Sequence, residues 1–334
     1  MQYELKTQVI EPQRQTFTHV AKRFGDKPAS RYLEGIIDVQ PKEHFHYRPT
    51  WDPSREIYDE TFSIFRLTDT YSFLDPRQFY YAPYVTARAA HHEAFATSLQ
   101  YIEDRGLLER LSEGWKSVLT ELVIPLRHLE SGGQLILCGM ARFGYGASIT
   151  QAAAYSAFDR VGNAQILSRA GIALGGGTAD LLGEAKEHWM EDAALQGLRK
   201  LTEEAIVEPD WGIGLLQLDA VDHLLYDLLY GLLDDEAVDG GAPAYSLIAQ
   251  HMSGWFTDNR KWIDALYKTW RADPELGETN AQLLQEHGQA AVDKALAAVT
   301  PFAERIDELL GVGAVDRVTA KAAQVRAAHA VEQA

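Results

Sequence analysis

Residues 131–168 carry only three charged side chains, Arg142, Asp159 and Arg160, and otherwise run through glycine, alanine, serine and large apolar residues. A segment of this kind has no face to offer to water. A helix built from it must be enclosed by protein. The stretch therefore predicts a central helix of a bundle, and the rest of the chain has to supply the elements that enclose it.

The flanking sequence carries helix signals. Asp75, Pro76, Arg77 and Gln78 form a start: aspartate caps, proline suits the first helical position, and glutamine can reach back. Ser112 opens a second helix, with Trp115, Leu119, Leu122, Val123 and Leu126 along one apolar stripe; Pro125 predicts a kink in it and the pair Gly132 and Gly133 a stop. Thr178 reads as the cap of a helix that lines up Leu181, Leu182, Ala185 and Trp189. Thr279 to Gln282 reads as a capping box for a helix running through Leu296, Val299, Ile306 and Leu310. No alternation of apolar and polar residues marks a strand, and no repeat period is visible. The expected fold class is all-α.

The N-terminal part differs in character. Pro12, Pro28, Pro41, Pro49 and Pro53 are five of the twelve prolines, and such punctuation breaks any long helix. Sixteen of the aromatic residues precede residue 85, among them Phe45, Tyr47, Trp51, Tyr58, Phe62, Phe65, Phe79, Tyr80 and Tyr81. An irregular arm with that much aromatic surface needs cover, either from the chain's own helices or from a partner. The expected organisation is an extended arm over 1–74, a helical body over 75–310 and a C-terminal tail over 311–334.

Composition narrows the function. Lys and Arg number 31 against 48 Asp and Glu, a net charge of -17. That charge argues against nonspecific binding to nucleic acid or to an anionic membrane, both of which require a positive surface. The 46% apolar content is enough for a large core. Cys138 is the only cysteine; it cannot form an internal disulfide, and its apolar surroundings predict a buried thiol in a protein of a reducing cytoplasm. The first 30 residues hold no apolar signal core, and the most hydrophobic run, Ile213 to Leu233, is interrupted by Asp219, Asp222, His223 and Asp227. Residues 201–240 contain eleven acids and no Lys or Arg, a pattern that fits a solvated face or a surface for a basic partner.

A helical bundle of this size invites a search for a metal centre. The di-iron carboxylate pattern takes a Glu from each of two helices and Glu-x-x-His from two others, because positions i and i+3 of a helix point the same way. The chain's one Glu-x-x-His, Glu43 to His46, lies between Pro41 and Pro49, where helix is not expected. Glu184 with His188, and Asp219 with His223, are i, i+4 pairs; they read as helix-surface ion pairs, or together as the ligands of an independent metalloenzyme. The segment 131–168 holds no Glu and no His. No Walker loop, dinucleotide fingerprint or nucleophile elbow occurs, and the bundle reads as one without a catalytic constellation.

Four segments carry a resemblance: Phe24 to Tyr32 (FGDKPASRY), Phe45 to Pro53 (FHYRPTWDP), Asp75 to Tyr81 (DPRQFYY) and Gly175 to Asp192. Together they make the chain similar to the β subunits of bacterial multicomponent monooxygenases, with phenol hydroxylase the branch it most resembles. The resemblance implies a ferritin-like helical body without iron ligands and no catalytic, cofactor-binding or metal residue on this chain. It implies a cytoplasmic (αβγ)2 hydroxylase in which di-iron belongs to α. A reductase with FAD and a 2Fe-2S cluster, drawing on NADH, and a regulatory protein would serve that assembly. Phenol, toluene, an alkene or another small hydrocarbon all remain open as the substrate. The arm is expected to pack on α, with Phe45, Tyr47, Trp51, Arg77, Tyr80 and Tyr81 at that contact.

Overall fold

A computed structural model describes residues 15–46, 48, 50 and 52–330. Among the described residues there are thirteen α-helices and no strand, so the all-α expectation holds. In chain order they are α1 (Thr18–Phe24), α2 (Arg31–Ile36), α3 (Tyr81–Asp104), α4 (Glu113–Ser117), α5 (Arg127–Phe143), α6 (Ala147–Leu174), α7 (Asp180–Glu191), α8 (Ala193–Ile206), α9 (Trp211–Asp227), α10 (Leu233–Asp239), α11 (Pro243–Arg271), α12 (Gly277–Leu310) and α13 (Ala314–His329). No helix among the described residues is long and apolar enough to cross a membrane.

The nearly charge-free stretch makes two central helices where one was expected. α5 and α6 lie against each other along most of their lengths, joined at Gly144, Tyr145 and Gly146. Gly146 has φ of 110°, a conformation that a side chain makes costly. Gln40 pins the turn from outside, donating to the Gly144 carbonyl at 3.3 Å and accepting from the Gly146 amide at 2.7 Å. Gly132 and Gly133 do not stop a helix; both are buried inside α5. A Cβ on Gly132 would meet the Thr202 methyl of α8, and one on Gly133 would come within 3.2 Å of the Arg160 Nε of α6. The glycine pair is there for close helix contact.

The Ser112 start is as read, its hydroxyl accepting from the Trp115 amide. The path then passes through a π segment, Val118–Val123, and a 3-10 turn, Ile124–Leu126, before α5 begins. Pro125 has no amide hydrogen to give, so the change of helical type falls where the sequence places the kink. Other start signals are displaced. The residues from Asp75 to Gln78 form a tight turn with Gln78 at φ of 50°, and α3 begins only at Tyr81, because Asp75 spends its carboxylate on the Arg77 amide and guanidinium. Thr178 donates to Asp180 and the Gly175 carbonyl instead of capping. Thr279 lies inside α12, whose entry is organised by Asp273 accepting from the Glu275 and Leu276 amides.

Much of the arm belongs to the body. Phe62, Phe65, Leu67 and Phe73 are in the main core, with Phe65 stacked on Trp270 at 4.5 Å. Val20, Tyr32, Ile36, Ile37 and Tyr71 form a small satellite core. The chain's own helices therefore cover much of the aromatic surplus. Residues 314–329 are a helix packed on α12 and α9, not a tail; Gly311, left-handed at φ of 67°, ends α12. Cys138 is exposed, against the reading of a buried thiol, because it lies on the outward side of α5.

Candidate functional site: the buried centre of the bundle

Four helices, α5, α6, α9 and α11, meet around the guanidinium of Arg160, which is 1% exposed. Glu130 reaches it from α5 at 3.2 Å and Asp222 from α9 in a close ion pair. From α11 the Trp255 ring lies 4.9 Å from the guanidinium carbon. Asn163, three residues after Arg160 on the same face of α6, donates to Glu130 at 3.3 Å, and the Tyr226 hydroxyl of α9 donates to Glu130 at 2.7 Å. Every member of this cluster is buried.

The charges do not cancel if both acids are ionised, since one guanidinium serves two carboxylates. Burial pushes the Asp222 carboxyl up to about 7, with Arg160 pulling the other way and Glu130 adding to the rise. For Arg160 burial acts against the charged form, but Asp222 and Glu130 outweigh it and the guanidinium is held more firmly protonated than usual. Burial thus favours the neutral form of Asp222, which is how a low-dielectric interior resolves a surplus acid beside a single guanidinium. Burial likewise raises the Tyr226 phenol, keeping it a donor.

A dinuclear iron centre in a four-helix core is built from inward-facing side chains of all four helices, and the residues gathered around Arg160 do not fit one. The di-iron pattern asks for four carboxylates and two imidazoles facing inward. Around Arg160 these helices present two carboxylates, no imidazole among the described residues and a cation already seated between them. On α6, Arg160 and Asn163 have the i, i+3 spacing that a Glu-x-x-His pair would need. Among the described residues no group of three or more His, Cys, Asp or Glu converges as metal ligands would.

Two further ionic clusters flank the centre. Asp219 of α9 is paired with Arg260 of α11 and accepts from Tyr267 at 3.0 Å. Asp159 of α6 accepts from Tyr84 at 2.9 Å and from Arg88 at 2.7 Å, and Arg88 also reaches Asp258 at 2.8 Å. The acidic block 201–240 is thus only partly a solvated face: Asp219 and Asp222 are buried, and fourteen residues of α9 are enclosed. The basic partners lie in other helices.

The candidates named from sequence scatter. Glu184 and His188 line an open cavity along α7, with His188 paired to Asp192 at 3.3 Å. Asp219 and His223, 4.0 Å apart, line a different cavity, so the four are not gathered at one site. Glu43 and His46 are exposed outside any helix. Phe45 is half-buried, 6.0 Å from the Tyr58 ring; Tyr47 and Trp51 lie outside the described residues. Tyr80 is half-buried against the satellite core, and the Arg77 side chain is turned inward, 2% exposed, on Asp75. Tyr81 stands out at 76% exposed, and Phe158 of α6 and Val85 of α3 are exposed as well. Glu130, Asn163, Asp222 and Tyr226 were not singled out from sequence as a group. The signal was present in Arg160, since a charge in an apolar helix requires a buried counter-charge.

Comparison with known proteins gives the family. Residues 51–274 match the family model described as methane/phenol/alkene hydroxylase. The chain is 38% identical over 319 residues to the phenol 2-monooxygenase oxygenase component DmpL of Pseudomonas sp. (strain CF600), covering 95% of each chain. It is 39% identical to the oxygenase component MhpL of Acinetobacter pittii (strain PHEA-2), covering 95% of this chain and 94% of that one. The chain belongs to the methane/phenol/alkene hydroxylase family. Among solved structures it is similar to a chain of phenol hydroxylase from Pseudomonas sp. OX1, with a TM-score of 0.85, 36% identity and coverage of 96% of this chain and 98% of that one. A chain of toluene 4-monooxygenase shares the fold at a TM-score of 0.71 and 18% identity, over 94% of this chain and 100% of that one. The helical body is of the ferritin-like hydroxylase type.

Proposed function

We propose that this chain is the noncatalytic β subunit of a cytoplasmic phenol-type hydroxylase, a scaffold in an (αβγ)2 assembly whose α subunit carries di-iron and converts phenol to catechol. A reductase with FAD and a 2Fe-2S cluster would bring electrons from NADH, and a small regulatory protein would join it. The observation that carries the reading is Arg160: a fixed cation between Glu130 and Asp222 fills the centre of the four-helix core. The two relatives, both oxygenase components of phenol 2-monooxygenase at 38% and 39% identity, favour phenol as the substrate of the whole.

The α-facing surface in this reading centres on the arm and the start of α3. Tyr81 offers its ring outward, Phe45 and Tyr80 are partly open, and Arg77 acts from within by holding the turn that leads into Tyr80 and Tyr81. Phe158 and Val85 are further exposed apolar side chains, a chemistry suited to a partner.

Co-purification tests it, with mass spectrometry of the associated chains and an iron assay of each. The expected result is association with a larger hydroxylase subunit, no stoichiometric iron on this chain, and no phenol hydroxylation by it alone. A ratio of about two irons per isolated chain, the stoichiometry of a dinuclear centre, would overturn the proposal.

A further inference from the structure

A cavity of about 350 Å³ opens between α9, α11 and α13, apart from the buried centre and from the arm. Arg260, Lys268, Arg271 and Lys321 line it, against two carboxylates, Asp219 and Asp264. Both carboxylates are taken up by Arg260. Lys321 is paired outside the cavity with Asp227 at 3.3 Å. Among the described residues Lys268 and Arg271 have no carboxylate partner, and Arg271 donates only to the Ala328 carbonyl at 3.0 Å. Two imidazoles complete the lining. His329 is 6% exposed, and the Nδ1 atoms of His223 and His329 are both buried without a hydrogen-bond partner.

In a chain of net charge -17, two cations without a carboxylate partner, beside two imidazoles whose Nδ1 atoms are buried, form a local positive field in a concave wall, which concentrates anions. We propose that this cavity binds a small oxyanion, a carboxylate or inorganic phosphate, with Lys268 and Arg271 supplying charge and His223 and His329 supplying donors. The guanidinium suits a two-oxygen acceptor, the lysine acts as a point charge, and an imidazole becomes a donor at both nitrogens once protonated.

Binding should be linked to protons. Burial holds His223 and His329 below the ordinary histidine range; Asp219 pulls both upward, Asp264 adds to His223, and Arg260 with Lys321 or Arg271 pulls down. An arriving anion opposes both the burial and the cations, so it favours the charged imidazoles, and acetate, which stays ionised across this range, binds more tightly at pH 5.5 than at pH 8.

Calorimetric titration of the full chain, at constant ionic strength because exposed charges are screened, with sodium phosphate and separately with sodium acetate checks this. The expected result is saturable one-to-one binding of at least one anion; saturation by phosphate alone or by acetate alone identifies the source. Lys268→Ala, an exposed position that leaves packing intact, should weaken binding about 3-fold, the scale of one exposed charge. Arg271→Ala should weaken it about 10-fold, the scale of a charge-assisted hydrogen bond. Imidazole resonances of His223 and His329 should move on titration. Absence of saturable binding by both anions, binding that Lys268→Ala leaves unchanged, or stationary His223 and His329 resonances overturns the proposal.

Discussion

Arg160 shows how much one side chain can decide. Removing it would leave Glu130 and Asp222 facing each other in a dry interior, and breaking a buried ion pair from one side costs about 3–5 kcal/mol. Arg160→Ala should lower the urea midpoint accordingly. The triple substitution Arg160→Met, Glu130→Gln and Asp222→Asn should recover most of the loss, because replacing all charges together removes the uncompensated acid. The proton on Asp222 makes a second prediction. Its folded value, about 7, lies above the unfolded aspartate value, so the folded state binds the proton more tightly. That contribution is fully present below the unfolded value and is lost as pH rises through about 7. Asp222→Asn, which mimics the protonated form, should therefore gain on wild type between pH 5 and pH 8, by about 1–4 kcal/mol at the upper end. An identical pH slope in both proteins would remove the proton from Asp222.

At the scale of the element, the turn between α5 and α6 and the glycine pair in α5 set how tightly the centre is built. Gly146 combines a positive φ with a Cβ position 2.8 Å from Thr70. Gly146→Ala should cost about 1–3 kcal/mol from backbone strain, read as a lowered Tm, and should loosen the contact with Gln40. Gly132→Ala should cost about 1–3 kcal/mol through overpacking against Thr202. Its partial relief by Thr202→Ser would show that the side-chain collision is the cause. Helix type along most elements was legible in sequence from apolar stripes and from Ser112 and Pro125. Helix ends were less so, because Asp75 and Thr178 each took an alternative partner and Asp273 took over the entry to α12 ahead of Thr279. Which hydrogen bond a small polar side chain takes depends on what packs nearby, and a local signal does not contain that.

For the whole molecule, part of the arm is held by the chain's own body. Residues 60–74 are held by the body: Thr68 bonds Asp273 at 2.6 Å, and Asn280 donates to the Arg66 carbonyl at 2.8 Å. Deleting residues 1–55 should therefore leave a folded helical body, since Phe62, Phe65 and Phe73 remain, yet one that no longer assembles with the larger subunit. Circular dichroism and co-purification separate the two effects; assembly with unchanged affinity would refute the wrapping role. Tyr81→Ser combined with Phe158→Ser should leave stability within about 0.5 kcal/mol, as exposed positions do, while weakening assembly.

The amino-acid order alone determined that the chain is helical, that residues 131–168 form the centre of a bundle, and that the stretch holds no Glu and no His. Apolar periodicity and missing residue types are local facts, and they survive any arrangement of the helices. Tertiary structure alone decided that Arg160 meets Glu130 and Asp222, that α9 is enclosed despite its acids, and that Phe65 is covered by Trp270 of this chain. Those pairings join residues far apart in sequence. A buried charge states that it needs a partner, but only the packing of the helices selects which one it receives.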